Sequence, residues 1–129
     1  MNFTSQICTS RSQSERLLAL GLKKETADMG LIGDIPIILP TTWANADPMF
    51  DTPAWSLHRL KCLMPEKTPY GNGYLTVEII NENVYIVLVI ENVEQRVIKY
   101  TKGNLYDNLI SCINSFVKES LFNKDYLEE

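Results

Sequence analysis

Tyr74-Leu-Thr-Val-Glu-Ile-Ile80, Val84-Tyr-Ile-Val-Leu-Val-Ile90 and Gln95-Arg-Val-Ile-Lys-Tyr100 decide the fold class of this chain. In the first run Leu75, Val77 and Ile79 alternate with Thr76 and Glu78, the period of a half-buried strand. The second run is apolar at successive positions, which marks a central strand covered on both faces. In the third, Arg96, Ile98 and Tyr100 alternate against Val97 and Lys99. Asn81-Glu82-Asn83 and Glu91 to Glu94 are turns, so three strands follow one another as an antiparallel meander.

Working outward, Gly103-Asn104 opens a helix on which Leu105, Leu109, Ile113, Phe116, Val117 and Leu121 form one apolar face for the sheet. Residues 65–73 hold Pro65, Pro69, Gly71 and Gly73, a turn-rich connector. Before it, Asp51 or Thr52 caps a helix that starts at Pro53, carries Trp55, Leu57, Leu60, Leu63 and Met64, and stops at Pro65. Near the N-terminus a short helix starts at one of two capping boxes, Ser10 with Gln13 or Ser12 with Glu15, and ends at Gly21. Ile35-Pro-Ile-Ile-Leu39 reads as an edge strand or extended loop, and Pro40 to Pro48 as loop with Trp43 as its anchor. The expectation is one α+β domain over residues 1–129: a three-stranded antiparallel meander packed with a C-terminal helix, two shorter N-terminal helices and a long proline-rich loop.

Composition narrows the function classes. The 129 residues are 45% hydrophobic and 22% charged, and 12 basic against 16 acidic side chains give a net charge of -4. Residues 71–129 hold five basic and nine acidic groups, an excess that repels a phosphate backbone. The weak nucleic-acid feature is Arg96, Lys99 and Lys102 beside Tyr100. The three cysteines, Cys8, Cys62 and Cys112, form no C-x-x-C pair. With a polar N-terminus that lacks a signal core, they point to a reducing cytoplasm. The longest apolar stretch, Tyr85 to Ile90, is too short to span a bilayer.

Catalytic chemistry has little to work with. His58 is the single histidine, spaced i, i+4 from Cys62, and no glycine-rich oxyanion element accompanies the pair. His58, Cys62 and a carboxylate from Asp47 or Asp51 match no zinc spacing. Glu78, Glu82, Glu91 and Glu94 cluster at the turns as a charged solvent face. No phosphate-binding glycine motif occurs. The expectation is therefore no catalytic residue, no metal site and no cofactor. The aromatic and polar residues of the proline-rich middle, Trp43, Trp55, His58 and Tyr70, form the candidate surface for a partner or ligand.

Three stretches carry a resemblance: Gln13-Ser-Glu-Arg-Leu-Leu-Ala-Leu-Gly-Leu-Lys-Lys-Glu-Thr-Ala-Asp-Met29, Asp51-Thr-Pro-Ala-Trp-Ser-Leu-His-Arg-Leu-Lys-Cys-Leu-Met-Pro65, and the closing apolar helix with Tyr126-Leu127. Together the set resembles a family of small uncharacterised proteins of gut Bacteroidetes, often encoded near prophage or other mobile elements. The first two blocks cover about a quarter of the chain. The resemblance implies a cytoplasmic, phage-associated protein and brings no catalytic residue with it. It also frames a physical idea, that Thr26, Met29, Asp51 and Trp55 clamp the ends of a displayed loop spanning residues 30–50.

These readings converge on a non-enzymatic protein-interaction module that presents the proline-rich loop or a sheet edge. Self-association through the edge of the Tyr74 or Gln95 strand gives a homo-oligomer. The alternatives are a small-molecule binder or minor enzyme with a pocket near Trp43, Trp55, His58 and Tyr70, and a weak nucleic-acid binder through Arg96, Lys99 and Lys102.

Overall fold

Two-residue turns build most of this molecule. Gly33-Asp34, Gly71-Asn72, Asn81-Glu82 and Glu91-Asn92 each join two antiparallel strands. Gly33, Gly71 and Asn81 take a positive φ at the first turn position, and Glu91 and Asn92 at both, the backbone hand that matches the twist of the flanking strands. The computed structural model describes residues 6–38 and 51–128. It is α+β, with three helices and two antiparallel sheets of three and four strands.

The chain divides into two compact units, one formed by Cys62–Asn123 and the other by the residues on either side of it. The flanking unit contains helix α1 (Arg11–Ala19) and strands β1 (Met29–Ile32), β2 (Ile35–Ile38) and β3 (Thr52–Ala54), in the order β2-β1-β3. Of the two capping boxes, the structure uses Ser10 with Gln13. At the other end Gly21 N–H donates to Leu18 O and Leu22 N–H to Leu17 O, with Gly21 at φ +99°. This is the left-handed cap that a glycine admits. Cys8, Met29, Leu31 and Ala54 pack as one apolar cluster.

Met29–Ile32 and Ile35–Ile38 are thus a strand pair, which corrects the expectation of a displayed loop from residue 30 onward, while Ile35–Ile38 takes the edge-strand alternative of its own reading. Asp51-Thr-Pro does not start a helix either. Thr52-Pro-Ala is a strand paired with β1, and helix α2 (Leu57–Leu63) begins later, where Ser56 Oγ accepts from Arg59 N–H at 3.1 Å. Pro53 fits the strand because β3 lies at the sheet edge, where a missing N–H breaks no ladder. Trp43 and the rest of the expected loop at residues 39–50 lie outside the described residues.

The clamp residues are engaged in detail. Asp51 accepts from Gly33 N–H at 2.9 Å and pairs with Arg11 at 2.7 Å, while Arg11 also donates to Thr52 Oγ1 and Gly33 O. Trp55 is completely buried, and its Nε1 donates to Thr26 Oγ1 at 2.9 Å. Asp28 receives both the backbone N–H and the hydroxyl of Ser56. The C-terminal segment closes this unit: Lys23 N–H donates to Tyr126 O, and Glu128 N–H to Gly21 O.

The second unit holds β4 (Thr68–Tyr70), β5 (Gly73–Ile80), β6 (Asn83–Ile90), β7 (Val93–Tyr100) and helix α3 (Leu105–Lys118). Its sheet runs β4-β5-β6-β7, four strands rather than three. The extra strand comes from Thr-Pro-Tyr in the segment expected to be a connector, so β5, the Tyr74 strand, is interior and offers no edge. β6 is buried at Val84, Tyr85, Ile86, Val87 and Val89, on both faces as its unbroken apolar run requires.

Helix α3 starts at an Asn104–Asp107 capping box and buries Leu109, Ile110, Cys112, Ile113 and Phe116. Asn108, itself buried, donates to Glu82 O and Gly103 O and so ties the first turn of α3 to the β5–β6 turn. No helix among the described residues is long and apolar enough to cross a membrane.

Candidate functional site

Register divides the four-stranded sheet into two faces. Leu75 opposes Leu88, Val77 opposes Ile86, Ile86 opposes Ile98 and Val84 opposes Tyr100, which puts these side chains on one face. Helix α3 packs on that face, since the Tyr100 hydroxyl is hydrogen-bonded to Ser115 Oγ. Tyr85, Val87 and Val89 cluster on the other face with Tyr74. Arg96 lies there 4.5 Å above the Tyr85 ring and 2.5 Å from Glu78, and Lys67 lies over Tyr74.

The helix ends before the sheet does. After Lys118 the chain turns through Ser120 at φ +58°, with Ser120 N–H donating to Val117 O and Leu121 N–H to Phe116 O. This terminating turn carries Leu121 off the helix, where the helical spacing had placed it, and beside Phe116. The uncovered end of the sheet becomes a groove of about 340 Å³. Leu75, Ile86, Leu88 and Ile98 form its floor, and Phe116 and Leu121 form a wall. Tyr70 stands on the rim, 54% exposed, with Ser115 and Glu119 as polar groups at the border. The volume and the mostly apolar lining are those of sites that hold a small apolar body with a few orienting polar groups.

Of the residues singled out in the sequence, only Tyr70 lines this groove. Trp55 is completely buried, so its ring presents no surface to a ligand. His58 and Cys62 sit at exposed positions of α2. Trp43 lies outside the described residues. The basic set is divided: Arg96 and Lys99 project from the face opposite Tyr100, and the Arg96 charge is matched by Glu78.

The groove residues were missed because each reads as core. The one available signal is Val97-Ile98, two adjacent apolar residues that break the alternation of a strand whose neighbouring positions Glu94, Gln95, Arg96 and Lys99 are polar.

The flanking unit has a second hollow of about 350 Å³ around Ile7, Cys8, Leu31 and Pro36, with Arg11 and Asp34 at its edge. Its thiol is a poor nucleophile, because burial, with a smaller contribution from Asp28, pushes the Cys8 thiol up. Among the described residues no group of three or more His, Cys, Asp or Glu side chains is placed to hold a metal ion. Comparisons with protein-family models, with curated proteins and with solved structures returned no match.

Proposed function

We propose that this protein is a non-enzymatic interaction module whose groove seats an apolar segment of a partner protein. The observation that carries this reading is the 340 Å³ groove itself, floored by four aliphatic side chains and rimmed by the exposed ring of Tyr70. A rigid aromatic beside an apolar hollow is the usual form of a binding hot spot. Ser115 and Glu119 supply a hydroxyl and a carboxylate that would fix the direction of the bound chain. A partner encoded in a mobile-element context and acting in the cytoplasm is part of the same proposal.

Panning a random peptide library against the protein tests the reading. Enriched peptides should share two or more large apolar residues. Their affinity should fall about tenfold on Tyr70→Ala or Leu121→Glu, the loss of about 1.4 kcal/mol expected for one anchoring contact. Peptides that bind both folded variants as well as the parent would overturn it. The groove volume also suits a small apolar molecule. Selection of no peptide, together with saturable uptake of a hydrophobic dye that Leu121→Glu abolishes, would favour that second reading.

A further inference from the structure

The two sheets have four edges among the described residues, and three of them contain a proline. Pro36 lies in β2, Pro53 in β3 and Pro69 in β4. A proline cannot donate to a new strand, so each of these edges is blunted against pairing. The fourth edge, β7, has none. It is eight residues long and exposed from Val93 to Lys99, including Val93 at 68%, Val97 at 43% and Ile98 at 42%.

The outer side of β7 has an unusual rhythm. Val93 closes a two-residue turn and bonds inward to Ile90, so Glu94 turns its main-chain groups outward, Gln95 inward and Arg96 outward. Between Ile86 and Val87 the register slips by one, leaving Val97 as an extra residue. Beyond the slip, Ile98 and Tyr100 face inward to Ile86 and Val84, and Lys99 faces outward. The outward groups therefore fall on Glu94, Arg96 and Lys99, with one step too many between the last two. A regular strand laid along this edge would match one half and lose step in the other.

A second β7 carries the same offset. We propose that β7 pairs antiparallel with β7 of a second copy of this chain, about a two-fold axis between Arg96 and Val97. In that register Glu94 opposes Lys99 of the second copy, and both present outward main-chain groups. Val93 opposes Tyr100 and Gln95 opposes Ile98. The slip keeps Glu94 and Lys99 together on the Arg96 side, and the Val93–Tyr100 and Gln95–Ile98 pairs together on the α3 side; at the axis itself Arg96 opposes Val97, the extra residue.

Charge agrees with this geometry. Arg96 is already matched by Glu78 and is also influenced by Glu94, but neither Glu94 nor Lys99 lies within salt-bridge distance of an opposite charge among the described residues. Two reciprocal Glu94–Lys99 pairs form across the axis, the isologous pattern of a two-fold interface. The product is one continuous eight-stranded sheet whose outer edges both contain Pro69, so growth stops at two copies. This inference stands without the groove reading, since Glu94 and Lys99 point away from the groove.

Sedimentation equilibrium tests it, over about 10 μM to about 1 mM because strand pairing alone buries less than a standard interface. The parent should dimerise. Glu94→Lys and Lys99→Glu should each weaken the dimer at least about tenfold, because each sets two like-charged pairs face to face. The double variant carrying both changes should return to within about threefold of the parent, since opposite charges face each other again. A parent that stays monomeric throughout, a dimer indifferent to both single changes, or a double variant that does not recover would each overturn the proposal. A parent that pairs only with an added unrelated strand would also do so.

Discussion

Replacing Trp55 by alanine should cripple the flanking unit and spare the other. The side chain is completely buried, and the change removes the whole indole and leaves a cavity. Large-to-small changes of this kind cost about 3–5 kcal/mol. The Nε1–H bond to Thr26 Oγ1 is lost as well, although Thr26 still donates to Lys23 O and is not stranded. The two bonds of the Trp55 main chain, its C=O accepting from Thr9 N–H and its N–H donating to Thr9 Oγ1, persist in the alanine variant. About 4 kcal/mol is a large part of the 5–15 kcal/mol typical of a domain, and corresponds to a fall in Tm of about 10–20 °C. Calorimetry gives the Tm, and native-state hydrogen exchange says where the loss falls. Protection should drop at Thr9, Leu22 and Thr26 and persist at Leu109 and Ile113. Trp55→Phe keeps much of the volume but loses the hydrogen bond and the pyrrole part of the ring, so it should cost about 1–2 kcal/mol, less than the alanine change. An alanine variant that melts within about 2 °C of the parent, or protection lost equally in both units, would refute this assignment of the indole.

Other consequences are equally direct. Gly73→Ala would place a Cβ 1.9 Å from Val89 O, a backbone atom of the neighbouring strand, so the β5–β6 pair must shift. A loss above about 3 kcal/mol in urea titration is expected, at the upper end of overpacking costs. Asp51 is held below its ordinary value of 3.8, first by the Gly33 N–H bond, then by Thr52 and Arg11. A depressed carboxyl stabilises the fold fully above its unfolded value and loses that contribution as pH falls through the folded one. Asp51→Asn should therefore flatten the acid limb of the stability curve, read by circular dichroism below about pH 4. Of the three cysteines only Cys62 is exposed, and burial pushes the Cys112 thiol up to about 12. A thiol reagent at neutral pH should label Cys62 quickly in the native protein, and Cys8 and Cys112 only after unfolding.

In the second unit β5, β6 and β7 were legible, since β5 alternates, β6 is an unbroken apolar run and short turns separate them, whereas β4, three residues with a proline at its centre, read as connector. Asn104 and Gly103 likewise announced α3, and Gly21 the end of α1. The first sheet was opaque for a physical reason. Its strands are three or four residues long, two contain proline, and β3 finds its partner β1 about 20 residues away. Nothing local distinguishes Asp-Thr-Pro before a helix from Asp-Thr-Pro in an edge strand. The choice is made by Arg11, Gly33 and Leu31, all distant in sequence. The groove was hidden similarly, because it depends on where α3 stops, and Ser120 ends it without glycine.

The closing segment sets an order of events during synthesis. Residues 124–128 bond to residues 21–23, with all of Cys62–Asn123 lying between them in the chain. A ribosome therefore delivers the whole second unit before the flanking unit can receive its last segment. The second unit, held together by neighbouring hairpins and the helix that follows them, has only short loops to close and should fold first. Until then Leu22, which the finished molecule buries, lacks the main-chain partner it bridges at Leu127. That interval is when a chaperone would have most to hold.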